Sequence, residues 1–486
     1  MLMKFDKLSV NKTLDEAEEA LQNEQGLSPA MKAIIKILIL IIRTLTGKLN
    51  KNSSNSSIPP ATDKKRKRGS NKDKSNKKPG GQDGHDGFRL EKSDSPDKIE
   101  TIEIDQRTLP KGKYRDVGFD ARQVIDFEIT TIITEYRAQV LEDAFGKQFV
   151  AQFPLFVTRD VQYGYRVKSN AVYLSQFQMI PYARIQDYFA EKMNIPISAG
   201  SIFNFNKEAY GLLEHFESIV KSQLIQSAVL NADETGINVN KKTIWLHCAS
   251  NSLWAYFYPH ENRGTIAMNV MGILPNFTGT LVHDHWKPYY TYSCLHALCN
   301  PHHIRELEYV AVEDNQVWAA RMQTLLLKIN DAIKNTNAGT LSKNLRTRYG
   351  KKYDEIIAGG EIECPLPETP IINGKKKRGR VKKSKSRNLL ERLRNYKEDT
   401  LRFMHDPLVP FTNNAGENDL RMTKVQQKVS GCFRSMEGAK IFCRIRSYIL
   451  TCRKHDVKIT DALELLFQGK MPAFIDEVLS DTKCAE

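Results

Sequence analysis

Three acids far apart in the chain, Asp233, Asp284 and Glu417, each end or begin an element in a way that suits metal-assisted chemistry on phosphate esters. The run AVLNADETG, residues 228–236, reads as a short buried strand that stops at Asp233 and Glu234, with Thr235 and Gly236 signalling a turn. A second strand-like run, Gly279 to His283, ends in Asp284, and a helix-like stretch, NNAGENDLRMTKVQQK, carries Glu417 near its start. A surface acid after a strand is commonplace, so the joint placement is what counts. Magnesium takes hard oxygen ligands and keeps several waters, so a few carboxylates converging from strand ends and a helix suffice to hold it. Two such ions about 3.5 to 4 Å apart activate an oxygen nucleophile and relieve charge on the leaving oxygen. The expected arrangement is two Mg2+ (or Mn2+) ions, with Asp233 between them, Asp284 on one and Glu417 on the other. Glu234 and Glu437 are weaker competitors, the first because in extended chain its side chain points away from that of Asp233.

Around these acids, Asn413 or Asn414 is placed to cap the helix. Arg421, Lys424 and Lys428 follow Glu417 at i+4, i+7 and i+11, a basic stripe on the carboxylate's own face. That stripe suits phosphate contact; the plainer reading is a solvated face with an i,i+4 pair between Glu417 and Arg421. His283, His285, His296, His302 and His303 cluster near Asp284, and Cys299 precedes His302 by three residues. A zinc site of the C-x-x-H kind is one reading, but no second ligand pair is evident, and packed histidines are the other. Trp286 and Tyr290 offer stacking on an unpaired base or, more commonly, core filling.

The elements that must position these residues read as α/β. TIWLHCA and LWAYFY, separated by Ser250, Asn251 and Ser252, form a hairpin; Ile266, Val270 and Leu274 mark an amphipathic helix; then comes the strand to Asp284. Three strands, a helix and a fourth strand is the order of a ribonuclease H-like fold. Upstream, Ile185, Tyr188, Phe189 and Met193 line one helix face, residues 194–196 break it, and Ser198 caps a second run with Ile202, Phe205 and Ala209. This fits a helix-turn-helix or a plain helical hairpin, since only Asn204, Asn206 and Lys207 offer themselves to a groove. Residues 98–178, with stretches such as QVIDFEITTIITEY, suggest a small sheet domain.

Near the N-terminus, residues 12–50 read as helical, with a break at Gly26, Ser28 as N-cap and Pro29 at the first helical position. Met31, Ile35, Leu38, Ile42, Leu45 and Leu49 form a short coiled-coil seam or an amphipathic face packed on its own chain. The following linker contains Lys64, Lys65, Arg66, Lys67 and Arg68 and almost no apolar residue, so it is expected to stay disordered when unbound and to touch DNA phosphates rather than bases. A second basic run, GKKKRGRVKKSKSR, falls late in a helical insertion; its Lys377, Arg378 and Arg380 suit a minor groove or simply an exposed loop.

Lysine and arginine total 72 against 57 acids, a net charge of +15 over 486 residues concentrated in runs, which favours a polyanionic partner. No apolar window is long enough to span a bilayer and no signal peptide is visible, so a cytoplasmic protein without a membrane partner is expected. All eight cysteines lie at or beyond Cys248 without a CxxC pair, which reads as reduced thiols.

At the run PFTNNAGENDLRMTKVQQKVSGCFRSMEGAKIFCRIRSYILTCRKHDV the sequence closely resembles the C-terminal block of insertion sequence 66 family transposases, and NSSNSSIPPATD followed by KKPGGQDGHDG resembles their N-terminal signature. With LNADET, the resemblance covers nearly the whole chain. It implies a DDE transposase acting on double-stranded DNA, at the element's ends and at a target, with catalytic acids at Asp233, Asp284 and Glu417. The expected architecture is multidomain α/β: a coiled-coil segment (1–50), a basic linker (51–92), a small β-rich domain (93–178), a helix-turn-helix region (179–225), a ribonuclease H-like core in two parts (226–308 and 388–470) around a mostly helical insertion (309–387), and a tail (471–486). A homo-oligomer, with accessory proteins of the same element, and nucleoid association when DNA is bound are further expectations. Two departures stand out. Many relatives carry paired cysteines of a small zinc module after the linker, whereas here none precedes Cys248, so no structural zinc is expected in the N-terminal half. The residue after the catalytic glutamate is usually arginine and is Asn418 here, with Ala415 and Gly416 altering the lead-in. These altered surroundings keep open a catalytically inactive or repurposed end-binding protein, which plasmid mobility would separate from an enzyme. A ribonuclease H-like nuclease unrelated to transposition would give no strand-transfer products.

Overall fold

The computed structural model describes residues 7–24, 26–49, 90–336, 339–367, 371–372, 375–376 and 381–483. The chain divides into two units, Met1–Arg66, Leu155–Asp187 and Ile197–Glu486 forming one, Lys67–Pro154 and Tyr188–Pro196 the other. In the first, α1 (Lys7–Asn23) and α2 (Pro29–Leu49) form a helical hairpin. Ser28 Oγ accepts the Met31 N–H at 3.3 Å, as an N-cap does. Leu14, Leu21 and Ile39 are buried, and Arg43 pairs with Asp15 and Glu18 at 2.5 and 2.8 Å. Of the expected seam, Met31, Leu38, Ile42 and Leu45 stay exposed and Ile35 is half-buried; the side chain of Leu49 lies outside the described residues.

The second unit corrects the expectation of a β-rich domain over residues 93–178. Among its described residues the ladder is one short hairpin, β1 (Val140–Glu142) against β2 (Gln148–Val150). The stretch QVIDFEITTIITEY forms no strand. Alternation alone does not make a sheet: Val124, Phe127 and Ile133 are 94%, 80% and 92% exposed, so no buried face holds a register.

In the first unit, the remainder of the segment expected to be β-rich forms no strand and carries the helix α3 (Tyr165–Val172). Then come α4 (Tyr182–Met193), whose second half, from Tyr188, belongs to the second unit, α5 (Ala199–Leu212) and α6 (Glu214–Ile225). The predicted pair of helices is present: Asn194 takes φ +52° at the break, and Ser198 caps α5 through the Ser201 N–H at 3.0 Å. Ile202, Phe205 and Ala209 are buried as expected.

Five strands make the central sheet: β3 (Val229–Val239), β4 (Lys242–Ser250), β5 (Ala255–His260), β6 (Thr280–His283) and β7 (Leu295–Leu298), in the order β5-β4-β3-β6-β7. The first three pair antiparallel; β6 and β7 run parallel to β3. The turn expected at Thr235–Gly236 is not there. Ile237 and Val239 continue the buried alternation of the strand, and the chain reverses at Asn240 and Lys241, with φ +47° and +66°, the positive pair that a tight hairpin needs. The hairpin β4–β5 forms as predicted. The helix after it is α7 (Thr265–Met271), but its buried residues are Ala267, Met268 and Met271, with Ile266 and Val270 exposed.

After β7 the chain is helical: α8 (Asn300–Glu313), α9 (Val317–Lys334), α10 (Lys343–Glu363), α11 (Lys385–Asn395) and α12 (Lys397–His405). Trp318, Met322, Leu326, Tyr353 and Leu390 pack into one core with Val282 and Ala297 of the sheet, each large apolar side chain contributing about 1.5 to 3 kcal/mol. Buried Arg387 joins Glu361 of α10 to Glu391 of its own helix. The chain then returns to the sheet with α13 (Asn414–Ser430) and α14 (Met436–Lys454), which cover β3, β4 and β5 through Leu420, Phe442 and Cys443, with Phe433 from the segment between them. Two further helices, α15 (Ile459–Phe467) and α16 (Ala473–Lys483), complete it.

Candidate active site

The β3–β6 ladder ends at Asn231 and Val282, and continuing its register sets Asp233 level with Asp284. Asp233 is therefore not at a strand end, as the sequence suggested. It lies within β3, opposite Cys248 of β4, but on its parallel side it is past the end of its neighbour. Its Oδ1 accepts the N–H of Glu234 at 2.9 Å. Desolvation, then the carboxylates of Glu234 and Asp284, hold the Asp233 carboxyl well above the usual range; Glu417 adds to this and the Glu234 N–H opposes it. Both other expected acids thus act on Asp233, a repulsion that a bound cation would relieve.

Glu417 reaches this place because the start of α13 is tied to β3. Asn413, fully buried, accepts from Asn231 Nδ2 at 2.8 Å and donates through its own Nδ2 to the carbonyl of Ala232 at 2.9 Å. Sequence reasoning gave Asn413 or Asn414 the role of helix cap; the Asn413 side chain makes no cap bond because it is committed to the strand. Gly416 is part of the same contact, since a Cβ there would lie 3.3 Å from Asn413 Oδ1. Glu417 occupies the first turn of α13, where the helix dipole favours a negative charge.

Glu234, the weaker competitor, is committed elsewhere. It is buried and paired with Arg263 at 2.6 Å, and it accepts from Tyr289 OH at 2.6 Å. Arg263 lies between the rings of Trp245 and Trp286, 4.5 and 4.2 Å from their centroids. The backbone N–H of Trp286 donates to Asp284 Oδ1 at 3.1 Å. Glu437, the other competitor, pairs with Lys207 at 2.8 Å. Tyr290 packs against His296 and Tyr396 and binds Asp399 at 3.2 Å, the core-filling alternative.

The histidines separate into two groups. His283 and His296 bond one another at 3.1 Å in the interior, and burial lowers the His283 imidazole well below its usual range. Cys299 and His302, by contrast, turn toward Glu417. Cys299 precedes α8, its N–H donating to the carbonyl of His283 at 2.9 Å, one residue before Asp284. Its Sγ and the Nδ1 of His302 each lie 3.9 Å from Glu417 Oε1. The i,i+4 pair between Glu417 and Arg421 does not form among the described residues. Nothing in the sequence connected Cys299 to Glu417, 118 positions away.

Of the residues expected to touch DNA, Lys64, Lys65, Arg66, Lys67, Arg68, Lys377, Arg378 and Arg380 lie outside the described residues. Arg421 and Lys428 are exposed on α13, whereas Lys424 donates to the carbonyl of Gly236 at 2.6 Å. In α5, Asn206 is fully buried against Ser175 and Tyr182 and so faces inward.

The class the fold defines is a mixed α/β unit built on a five-stranded sheet. The Transposase IS66 family matches residues 160–441, and the chain belongs to that family. Residues 8–91 match a Family of unknown function (DUF6444). No curated protein sequence matches the chain. No helix among the described residues is long and apolar enough to cross a membrane.

Proposed function

We propose that this chain is the DNA transposase of an insertion sequence, cutting at its element's ends and joining them to target DNA at a site made by Asp233, Asp284 and Glu417. What supports this reading is that continuing the β3–β6 register sets Asp233 level with Asp284, and that the carboxylates of Asp284 and Glu417, from the end of β6 and the start of α13, both raise the Asp233 carboxyl. The strand order, three antiparallel strands followed by two parallel ones, supports a ribonuclease H-like core. Asp233, Asp284 and Glu417 would together hold a pair of magnesium or manganese ions, Asp233 shared and the other two acids one on each. Such a pair supplies nucleophile activation and charge relief at the phosphorus. The chain's part is to orient the strand so that water displaces the 3′-oxygen of the scissile bond, and then to hold the freed 3′-hydroxyl for attack on a target phosphodiester in the same site.

Exposed Arg421 and Lys428, with the basic runs at Lys64–Arg68 and Lys377–Arg380, are the proposed backbone contacts. The α4–α5 pair is the proposed end-binding helix-turn-helix, and the exposed apolar face of α2 supports self-association. The test is cleavage of end-bearing DNA by the purified protein with magnesium. Asp233→Ala should abolish cleavage while DNA binding persists; cleavage at the wild-type level would remove Asp233 from the mechanism.

A further inference from the structure

We propose that Cys299, His302 and Glu417 form a binding site for a thiophilic divalent cation of the zinc class, distinct in ligand chemistry from the all-oxygen set and sharing Glu417 with it. The three ligand atoms lie within 4.8 Å of one another. Tetrahedral zinc with one sulfur, one nitrogen and one oxygen ligand sets them about 3.3 to 3.5 Å apart. The separations to Glu417 Oε1, 3.9 Å from both Cys299 Sγ and His302 Nδ1, need contract by only roughly half an ångström to reach that geometry.

Two observations show that the pair is prepared for a ligand. The Nδ1 of His302 is buried without a hydrogen-bond partner, and it is this nitrogen that faces Glu417. The Sγ of Cys299 accepts the backbone N–H of Asn413 at 3.2 Å, the support that a metal thiolate takes from its surroundings. Both residues are fixed by main-chain bonds at the start of α8, where His302 N–H also donates to the Cys299 carbonyl, so ordering them costs little on binding.

Sulfur and imidazole select zinc-class ions over magnesium, which prefers oxygen. Three protein ligands leave one position open, as in zinc sites that keep a water rather than closed structural ones. Occupancy would engage the Glu417 carboxylate and so compete with its place beside Asp233 and Asp284. That consequence rests on the transposase reading; the binding itself does not.

The test is titration of metal-free, full-length protein with Co2+, read by the thiolate-to-cobalt charge-transfer absorption without DNA. One equivalent should bind, displaced by Zn2+ and untouched by Mg2+. Cys299→Ser should abolish the band, and His302→Gln and Glu417→Gln should each weaken binding at least about tenfold, with unchanged circular dichroism. Absence of the band in the wild type would overturn the site, as would its persistence in Cys299→Ser, which would assign the thiolate to another cysteine such as half-exposed Cys432. Should Cys299→Ser fail to fold, His302→Gln decides, since undiminished affinity there excludes the site. Because the readout needs neither DNA nor turnover, its failure would leave magnesium-dependent cleavage standing, and a loss of cleavage would leave it standing.

Discussion

Replacing Asn413 with alanine should loosen the start of α13 and displace Glu417 without touching any acid. The asparagine side chain makes two buried bonds, from Asn231 Nδ2 at 2.8 Å and to the Ala232 carbonyl at 2.9 Å. Alanine strands both partners in the interior, and each unsatisfied group costs about 1 to 3 kcal/mol. The sum is about 2 to 4 kcal/mol, allowing for partial relaxation. The backbone N–H to Cys299 Sγ remains, so the loss is local. Hydrogen exchange of the α13 amides reads this free energy directly, and exposed Asn414→Ala should change it by under about 0.5 kcal/mol. A displacement of Glu417 by about 1 Å should lower cleavage roughly a hundredfold. Wild-type exchange and wild-type cleavage in Asn413→Ala would refute the claim that this side chain positions the glutamate.

Other substitutions test neighbouring parts of the account. Asp233→Asn should stabilise the metal-free protein relative to the wild type at neutral pH. The Asp233 carboxyl is raised in the folded state, so its favourable contribution is fully present below the unfolded value near 3.9 and is lost as pH rises through the folded one. Unfolding free energies against pH should therefore diverge upward from acid, and parallel curves would contradict this. Arg263→Ala removes the partner of a buried carboxylate, Glu234; the loss should be about 2 to 3 kcal/mol by denaturant unfolding, below the full buried-pair value because the arginine is partly exposed. Arg421→Ala and Lys428→Ala should each weaken DNA binding across sequences and reduce the slope of log affinity against log salt by about one; unchanged slopes would place DNA elsewhere.

Much of the site's frame was legible because local signals and long-range packing agree there. The alternation and flanking turns of β4, β5 and β6 carry enough information to place Asp284 just past a strand, and the spacing of apolar residues around Glu417 marks α13. The turn at Thr235–Gly236 misled because its residue types suit a reversal, while the burial of Ile237 and Val239 beneath α13 and α14 extends the strand through it. Asn413 was read as a cap because the cap is the local role for asparagine; its bonds to β3 bridge 181 and 182 positions, beyond any local pattern. Cys299 and His302 were legible as a spacing, but the third group beside them belongs to another helix. The region around QVIDFEITTIITEY shows the opposite failure, a strand pattern with no second layer to bury it.

The central claim is that Asp233, Asp284 and Glu417 hold divalent cations together. It is tested most directly by calorimetric titration of Mn2+ into the protein bound to its end DNA, for the wild type and for Asp233→Asn, Asp284→Asn and Glu417→Gln. The account predicts two ions in the wild type, loss of both in Asp233→Asn and of one in each of the other variants. Unchanged stoichiometry and affinity in all three variants would contradict it.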